Sequence, residues 1–382
     1  MKLLEYQAKE LFEKVGLRAQ KSVVLSDKNN VAESVDRAGL SYPLVLKAQV
    51  QVGGRGKAGG IRFAETPEEA RHITDNLLFT DLKGFRVNKL MAVEKADIAK
   101  EWYLSILLDR DLRAPRILFS NRGGMDIEEV SAKDPEAIID VPVNPMAGIT
   151  DYTVRYLCSK GKIGLDFFDK MKDVLTRLYT LFMDYSCMLL EINPLSVAPD
   201  GELTAIDGKV TIDDSALYRL PDVMVYRDSI EEHPLVLEAR SHNFLYIPIS
   251  SGGKVAVLSN GSGMLMSMID LLSNENIDVA CALDLGGGAT RDRIDKAVRI
   301  VLETPGVDRL FICIFGGITR CDEVAGGLKD ALEKETAGKT VVIRIEGTNK
   351  EAGLEIVAET PGAIPVGGIT EGVSVLAGRC SK

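Results

Sequence analysis

"RLFICIFGGITRCD", residues 309–322, decides how the C-terminal third of this chain folds. From Leu310 to Phe315 the run is apolar without alternation, which suits a strand covered on both faces. It breaks at Gly316 and Gly317 and passes into a segment with helical spacing, so Thr319, Arg320, Cys321 and Asp322 arrive at one turn. Backbone N–H groups at a helix start have no partners inside the helix, and the macrodipole there favours an anion. The same grammar recurs in KVAVLSNGSG (254–263), VACALDLGGGAT (279–290), TVVIRIEGTN (340–349) and AIPVGGIT (363–370), with RDRIDKAVRIVLE and DEVAGGLKDALEKE patterned as helices. Strands of this kind alternating with helices form a parallel sheet with right-handed crossovers, a doubly wound, flavodoxin-like domain. Ligands of such a sheet sit beyond the carboxyl ends of its strands, where the glycine turns lie. Glycines by themselves serve tight turns; NGSG and FGGIT add polar groups beside them.

The first 235 residues follow another pattern. A helix over 3–15 leads to the strand YPLVLKAQV (42–50), the loop GGRGKAGG (53–60), the strand IRFAE and a helix that Thr66 caps with Pro67 behind it. KLMAVEKAD reads as a strand, WYLSILLDRDLRAPRILFS as a hairpin, 166–184 as a helix and CMLLEINPLSVAPDGELTAIDGKV as a second hairpin. Hairpins mixed with helices are α+β. The charged stretch YRDSIEEHPLVLEARSHN (226–243) contains the expected boundary, giving domains 1–235 and 236–382.

With 382 residues, 46% of them hydrophobic, the chain can bury the cores of two or three domains. Its net charge of −10 and the lack of a long basic run argue against wrapping nucleic acid. No stretch reaches membrane-spanning length, and the N-terminal segment is helix-patterned, not a signal peptide. The six cysteines form no CxxC pair, and Cys187, Cys281 and Cys313 sit inside apolar runs. That suits buried thiols in a cytoplasmic location or a mitochondrial matrix, not disulfides or a zinc site.

GRGKAG formally matches GxGxxG, but a dinucleotide fold needs a helix next, and Ile61–Ala64 alternates as a strand. A Walker loop is excluded too, because Ala58 stands where Ser or Thr should meet magnesium. What remains is a glycine hairpin between strands: either a solvated tip, or a lid over triphosphate with Lys47 neutralising phosphate charge. In the second hairpin, pairing about Asp200 places Asn193 opposite Asp207 and Glu191 opposite Lys209, all on one face. Asn193 and Asp207 can then share one hard cation, as magnesium is held in phosphoryl transfer; an ordinary polar sheet face is the plain alternative. Glu94 and Glu101 flank ADIAK at a strand end, where a carboxylate accepts hydrogen bonds from a base or ribose. His72, His233 and His242 read as structural, and no cysteine has a base beside it, so the chain offers no covalent nucleophile of its own.

In this order the pieces resemble the β subunit of succinyl-CoA synthetase (succinate–CoA ligase). The resemblance runs nearly end to end, through LLEYQAKELF, KAQVQVGGRGKAGG, DIAKEWYL, GGMDIEEV, LLEINPL, IDGK, SNGSG, LDLGGGAT, FGGITRCD and IRIEGTN. It implies an N-terminal ATP-grasp domain followed by a flavodoxin-like CoA-ligase domain. Lys47, Gly54, Arg55, Gly56, Glu94, Ala96 and Glu101 would bind ATP or GTP, with Gln20 near the base. Asn193 and Asp207 would bind Mg2+, and Glu191 matches a position near the nucleotide-side catalytic site. Asn260, Gly317, Ile318 and Thr319 match positions near the acid substrate and phosphate. The resemblance also implies an α subunit that carries a phosphohistidine and most of the CoA site, in an αβ heterodimer or α2β2 heterotetramer. The turn at 316–319 would then receive that phosphohistidine. Malate–CoA ligase and citryl-CoA synthetase subunits share this layout, and a non-catalytic nucleotide-binding protein on the same fold is the reading from another class.

Overall fold

The computed structural model describes residues 1–51, 54–227, 232–288, 290–335 and 338–378. Gly53 of the glycine loop, Ala289, Cys380 and residues 228–231 of the boundary stretch lie outside them. The chain divides into two compact units, Met1–Ile230 and Glu231–Lys382.

The first unit holds two main antiparallel sheets and a two-stranded ribbon of Asp81–Leu82 with Phe85–Arg86. Its opening helix, Glu5–Lys14, starts where Gln7 Oε1 accepts the Leu4 N–H at 2.8 Å, and it buries Ala8, Leu11 and Phe12. The smaller sheet has the order Ser22–Leu25, Leu90–Glu94, Leu44–Ala48, Ile61–Ala64, so the strand bearing Lys47 is internal and the glycine loop joins it to an edge strand. Thr66 caps the helix Pro67–Leu77 by accepting the Glu69 N–H, as the Thr-Pro pair anticipates. The larger sheet is built on Lys100–Asp109 and Cys187–Val197, flanked by Ala114–Ser120, Ile139–Pro142, Leu203–Ala205 and Gly208–Ile212. Helix Phe168–Asp184 shares a core with this sheet, where Trp102, Phe119, Leu175 and Leu178 are all but inaccessible. Fully burying a side chain of this size contributes about 1.5–3 kcal/mol.

The second unit carries the doubly wound sheet. Val279–Asp284, Val255–Ser259, Arg309–Phe315, Thr340–Glu346 and Ala363–Pro365 run parallel in that spatial order. Alternate residues enter two separate cores: Leu310, Ile312 and Ile314 join helices Arg291–Leu302 and Cys321–Glu335, while Phe311 and Cys313 join Ser262–Asn274 and Ile369–Leu376. This is why the strand sequences show no polar alternation. A sixth strand, Leu245–Pro248, adds antiparallel to the Val279 edge, outside the sequence reading; only its Tyr246 is buried, while Leu245 and Ile247 are exposed.

Gly347 stands at φ +124°, and a Cβ there would lie 2.0 Å from the Gly316 carbonyl oxygen. Two glycine backbones therefore pack directly at the turn that opened the sequence. Gly347→Ala is expected to lower stability by about 3 kcal/mol, through overpacking plus backbone strain, seen as an earlier unfolding midpoint in urea.

Candidate functional site

A buried charge cluster forms the centre of the first unit's site. Lys47 Nζ donates to Glu5 Oε1 at 2.8 Å and to the Ile206 carbonyl at 3.1 Å. Arg55 from the glycine loop places Nη2 at 2.6 Å from Glu5 Oε2 and 3.0 Å from Asp207 Oδ2, and its Nη1 donates to the Ala48 carbonyl. The side chains of Glu5, Lys47 and Arg55 are 4%, 7% and 11% exposed, so these charges meet in a medium where each matters far more than in water. Burial pushes the Glu5 carboxyl up, but Lys47 and Arg55 outweigh it and hold the group below its usual range. At Asp207 burial wins: together with the Glu5 charge it pushes the carboxyl up to about 6 against the pull of Arg55 and Lys47.

The second hairpin has the register read from the turn at Asp200. Glu191 pairs with Lys209, Ile192 with Gly208 and Leu195 with Ala205, and the Asn193 N–H donates to the Asp207 carbonyl at 3.1 Å. Asn193 Oδ1 accepts the Gly124 N–H at 2.8 Å while its Nδ2 donates to the Met125 carbonyl, which fixes the amide face. Tyr103, 3% exposed, sets its hydroxyl 3.3 Å from Glu191 Oε2, and burial, then the Glu191 charge, raise its pKa. Glu191, Asn193 and Asp207 line one cavity of about 310 Å³ with Gly54, Arg55 and Gly56. Lys2 and Lys209 stand at the same cavity; burial, followed by the repulsion of Lys209 and Arg55, lowers the Lys2 pKa. The donor set fits a hard divalent cation. Asp207 is a carboxylate whose charge its neighbours leave undercompensated, and one carboxylate with one amide plus phosphate oxygens is a common magnesium set.

Glu94, Ala96 and Glu101 lie on the segment that joins the two sheets and do not line that cavity. Glu94 Oε1 accepts the Ser41 N–H at 2.7 Å, and the Glu94 carbonyl accepts from the Gln20 side chain, whose own Oε1 is buried without a partner among the described residues. Glu101 is exposed, packed over Gly124. Glu5 was missed in the sequence, although a signal exists: helical spacing puts it with Ala8 and Phe12 on the buried face, an odd place for an acid.

In the second unit Asn260 mimics a strand partner. Its Nδ2 donates to the Phe315 carbonyl at 2.8 Å and its Oδ1 accepts the Phe315 N–H at 3.0 Å, extending the sheet past Ser259. The helix begins at Cys321, at the start of the pattern read from DEVAGGLKDALEKE, and its first N–H is taken by the Thr348 carbonyl at 2.9 Å. The close Gly316–Gly347 packing brings that carbonyl within reach. Asp322 pairs with Arg320 at 2.7 Å and accepts from Asn349, and these bonds, Arg320 first, hold its carboxyl down at about 2. The helix start is thus less bare than its sequence implied. The turn above it is open to solvent at Gly317 and Ile318, with Ile318 94% exposed and Thr319 buried below. His72, His233 and His242 occupy structural places: His72 faces Asn76, His233 caps Pro234–Ser241, and His242 packs on Phe244.

Comparison with known proteins adds a second line of findings. Residues 2–197 match an ATP-grasp domain model and residues 258–370 a CoA-ligase model. A succinate–CoA ligase [ADP-forming] subunit beta from Desulfatibacillum aliphaticivorans is 40% identical over 367 residues, 94% of each chain. A GDP-forming counterpart from Thermus thermophilus is 39% identical over 362 residues, again 94% of each. Among solved structures, ATP citrate lyase from Methanosaeta concilii has a TM-score of 0.73 and covers 98% of both chains at 15% identity, a likeness of fold.

Proposed function

Because this chain belongs to the family of succinate–CoA ligase β subunits, with an ATP-grasp domain followed by a CoA-ligase domain, we propose that it is the β half of a reversible, nucleotide-dependent succinate–CoA ligase. The observation that carries the reading is the meeting of Lys47, Arg55 and Asp207 around one buried carboxylate, beside Asn193 and Glu191. In this reading residues 1–235 handle ATP or GTP and residues 236–382 face the acid and the α partner. Asn193 and Asp207 hold Mg2+, which when bound offsets charge on the phosphates. Lys47 and the Gly54–Gly56 amides bind and orient the triphosphate, and Glu94, Ala96 and Glu101 accept from base and ribose.

Phosphoryl transfer then needs a nucleophile that this chain lacks. A neutral histidine of the α subunit attacks the γ-phosphorus with one ring nitrogen, the bond to the departing nucleoside diphosphate breaks, and Glu191 accepts a hydrogen bond from the other ring N–H. Tyr103 steadies that carboxylate. The phosphohistidine passes its phosphoryl group to succinate, whose acyl phosphate CoA attacks through its thiol, releasing phosphate. In the CoA-ligase domain the exposed Gly317–Ile318 turn receives a phosphoryl oxygen in this reading, a role its solvent exposure supports. The five described cysteines are free and buried, and among the described residues no helix is long and apolar enough to cross a membrane; a cytoplasmic or matrix setting fits those thiols.

The test is coexpression with the α partner, γ-phosphate label and CoA consumption with succinate, malate and citrate. Label on the partner's histidine with turnover on succinate supports the reading; no label, or turnover on malate or citrate alone, sinks it. Glu191→Gln is expected to slow labelling about 10²-fold while nucleotide affinity stays unchanged, because Glu191 acts on the partner's imidazole and not on the nucleotide.

A further inference from the structure

Glu5 sits on the first turn of helix Glu5–Lys14, but it does not serve the helix. Gln7 answers the N-terminal amide, and the Glu5 carboxylate turns instead to Lys47 and Arg55. Removing a carboxylate from water costs several kcal/mol, which pairing offsets only when the geometry is good. The Lys47 pair is a hydrogen-bonded ion pair at 2.8 Å, the Arg55 pair is an ion pair at 2.6 Å without hydrogen-bond alignment, and the two cations come from a strand and a loop far off in sequence. We propose that Glu5 is a positioning residue of the nucleotide site, fixing Lys47 with one oxygen and anchoring Arg55 of the glycine loop with the other. The inference rests on the nucleotide-binding reading of Lys47 and Arg55 above.

The physical consequence has a sign. Lys47 ends in a flexible ammonium whose three donors rotate freely unless something holds it, and Glu5 with the Ile206 carbonyl does so. A protein-kinase site uses the same logic, where a strand lysine must be paired with a helix glutamate before it engages phosphate. Arg55 holds Glu5, Asp207 and the Ala48 carbonyl, so a divalent cation that takes Asp207 displaces only one of these three partners. Glu5 and the Ala48 carbonyl keep the guanidinium in place. If Glu5 merely neutralised charge, its loss would tighten the binding of an anionic nucleotide. If it positions, its loss weakens binding even though the field becomes more positive.

The experiment is ATP binding to the full chain with magnesium by calorimetry, together with tryptic cleavage after Arg55 and Lys57 in the nucleotide-free protein. Glu5→Gln is expected to weaken ATP about tenfold and to speed loop cleavage several-fold. Glu5→Asp, which keeps the charge but is one methylene too short to reach both cations, should weaken binding by a similar factor. In the complex with the α subunit, KM for ATP should rise more than kcat falls. A folded Glu5→Gln or Glu5→Asp that binds ATP as tightly as wild type, or tighter, overturns the inference while leaving the function intact. A wild-type chain that binds no nucleotide overturns the function reading itself. Should Glu5→Gln fail to fold, Glu5→Asp alone decides between charge and position.

Discussion

Asp207→Asn is expected to cut phosphoryl transfer to the α subunit on the order of 10³-fold and yet to raise the melting temperature of the ligand-free chain at pH 7–8. On the proposed function the activity loss follows, because Asp207 would be the one charged ligand of a cation that offsets phosphate charge during transfer. The stability gain follows from the raised carboxyl. Burial and the Glu5 charge push Asp207 up to about 6 in the folded protein, against about 4 for an unperturbed aspartate. The folded state therefore binds the proton more tightly than the unfolded state. The contribution of Asp207 is most favourable below pH 4, is lost as pH rises from about 4 to about 6, and stays lost above. Asparagine resembles the protonated acid, so it escapes that loss. The two proteins should melt together at pH 4 and separate by pH 7. Melting curves across that range, paired with γ-phosphate labelling, check both halves; an Asp207→Asn chain less stable than wild type at pH 7 would contradict the electrostatics of the cluster.

Lys47→Met should match that activity loss, again on the order of 10³-fold, with the opposite effect on stability. Lys47 is the principal partner of a fully buried carboxylate, and removing one member of a buried pair leaves the other uncompensated. The expected cost is about 3 kcal/mol, at the lower end for such changes because Arg55 still faces Glu5. Urea midpoints at pH 7 would rank the Asp207→Asn variant above wild type and the Lys47→Met variant below it. Equal stabilities for the two variants would mean that the four charges do not act as one cluster.

Much of the molecule was legible because its signals are local. The strand at 309–315, flanked by glycine turns and helical repeats, sufficed for the doubly wound unit, since a strand buried on both faces has no polar alternation to misread. The hairpin about Asp200 was legible because turn chemistry sets register, and register sets which residues share a face. The helix start was read to within one residue, but what its first amide bonds to was not. Nothing in FGGITRCD announces that Gly347, thirty residues on, lets the backbone come close enough for Thr348 to take the Cys321 amide. Likewise Asn260 reads as a polar turn residue, and only the structure shows its amide spent on Phe315.

From the sequence alone came the two architectures, the glycine loop with Lys47 and the Asn193–Asp207 pair. Those rest on periodicity, turn residues and composition, which act over a few neighbours along the chain. What tertiary structure alone decided is the company each charge keeps. Glu5, Lys47, Arg55 and Asp207 belong to a helix, a strand, a loop and a hairpin spread over two hundred residues. Their ionisation and reach depend on burial and on distances of about 3 Å, quantities that exist only once the chain has folded.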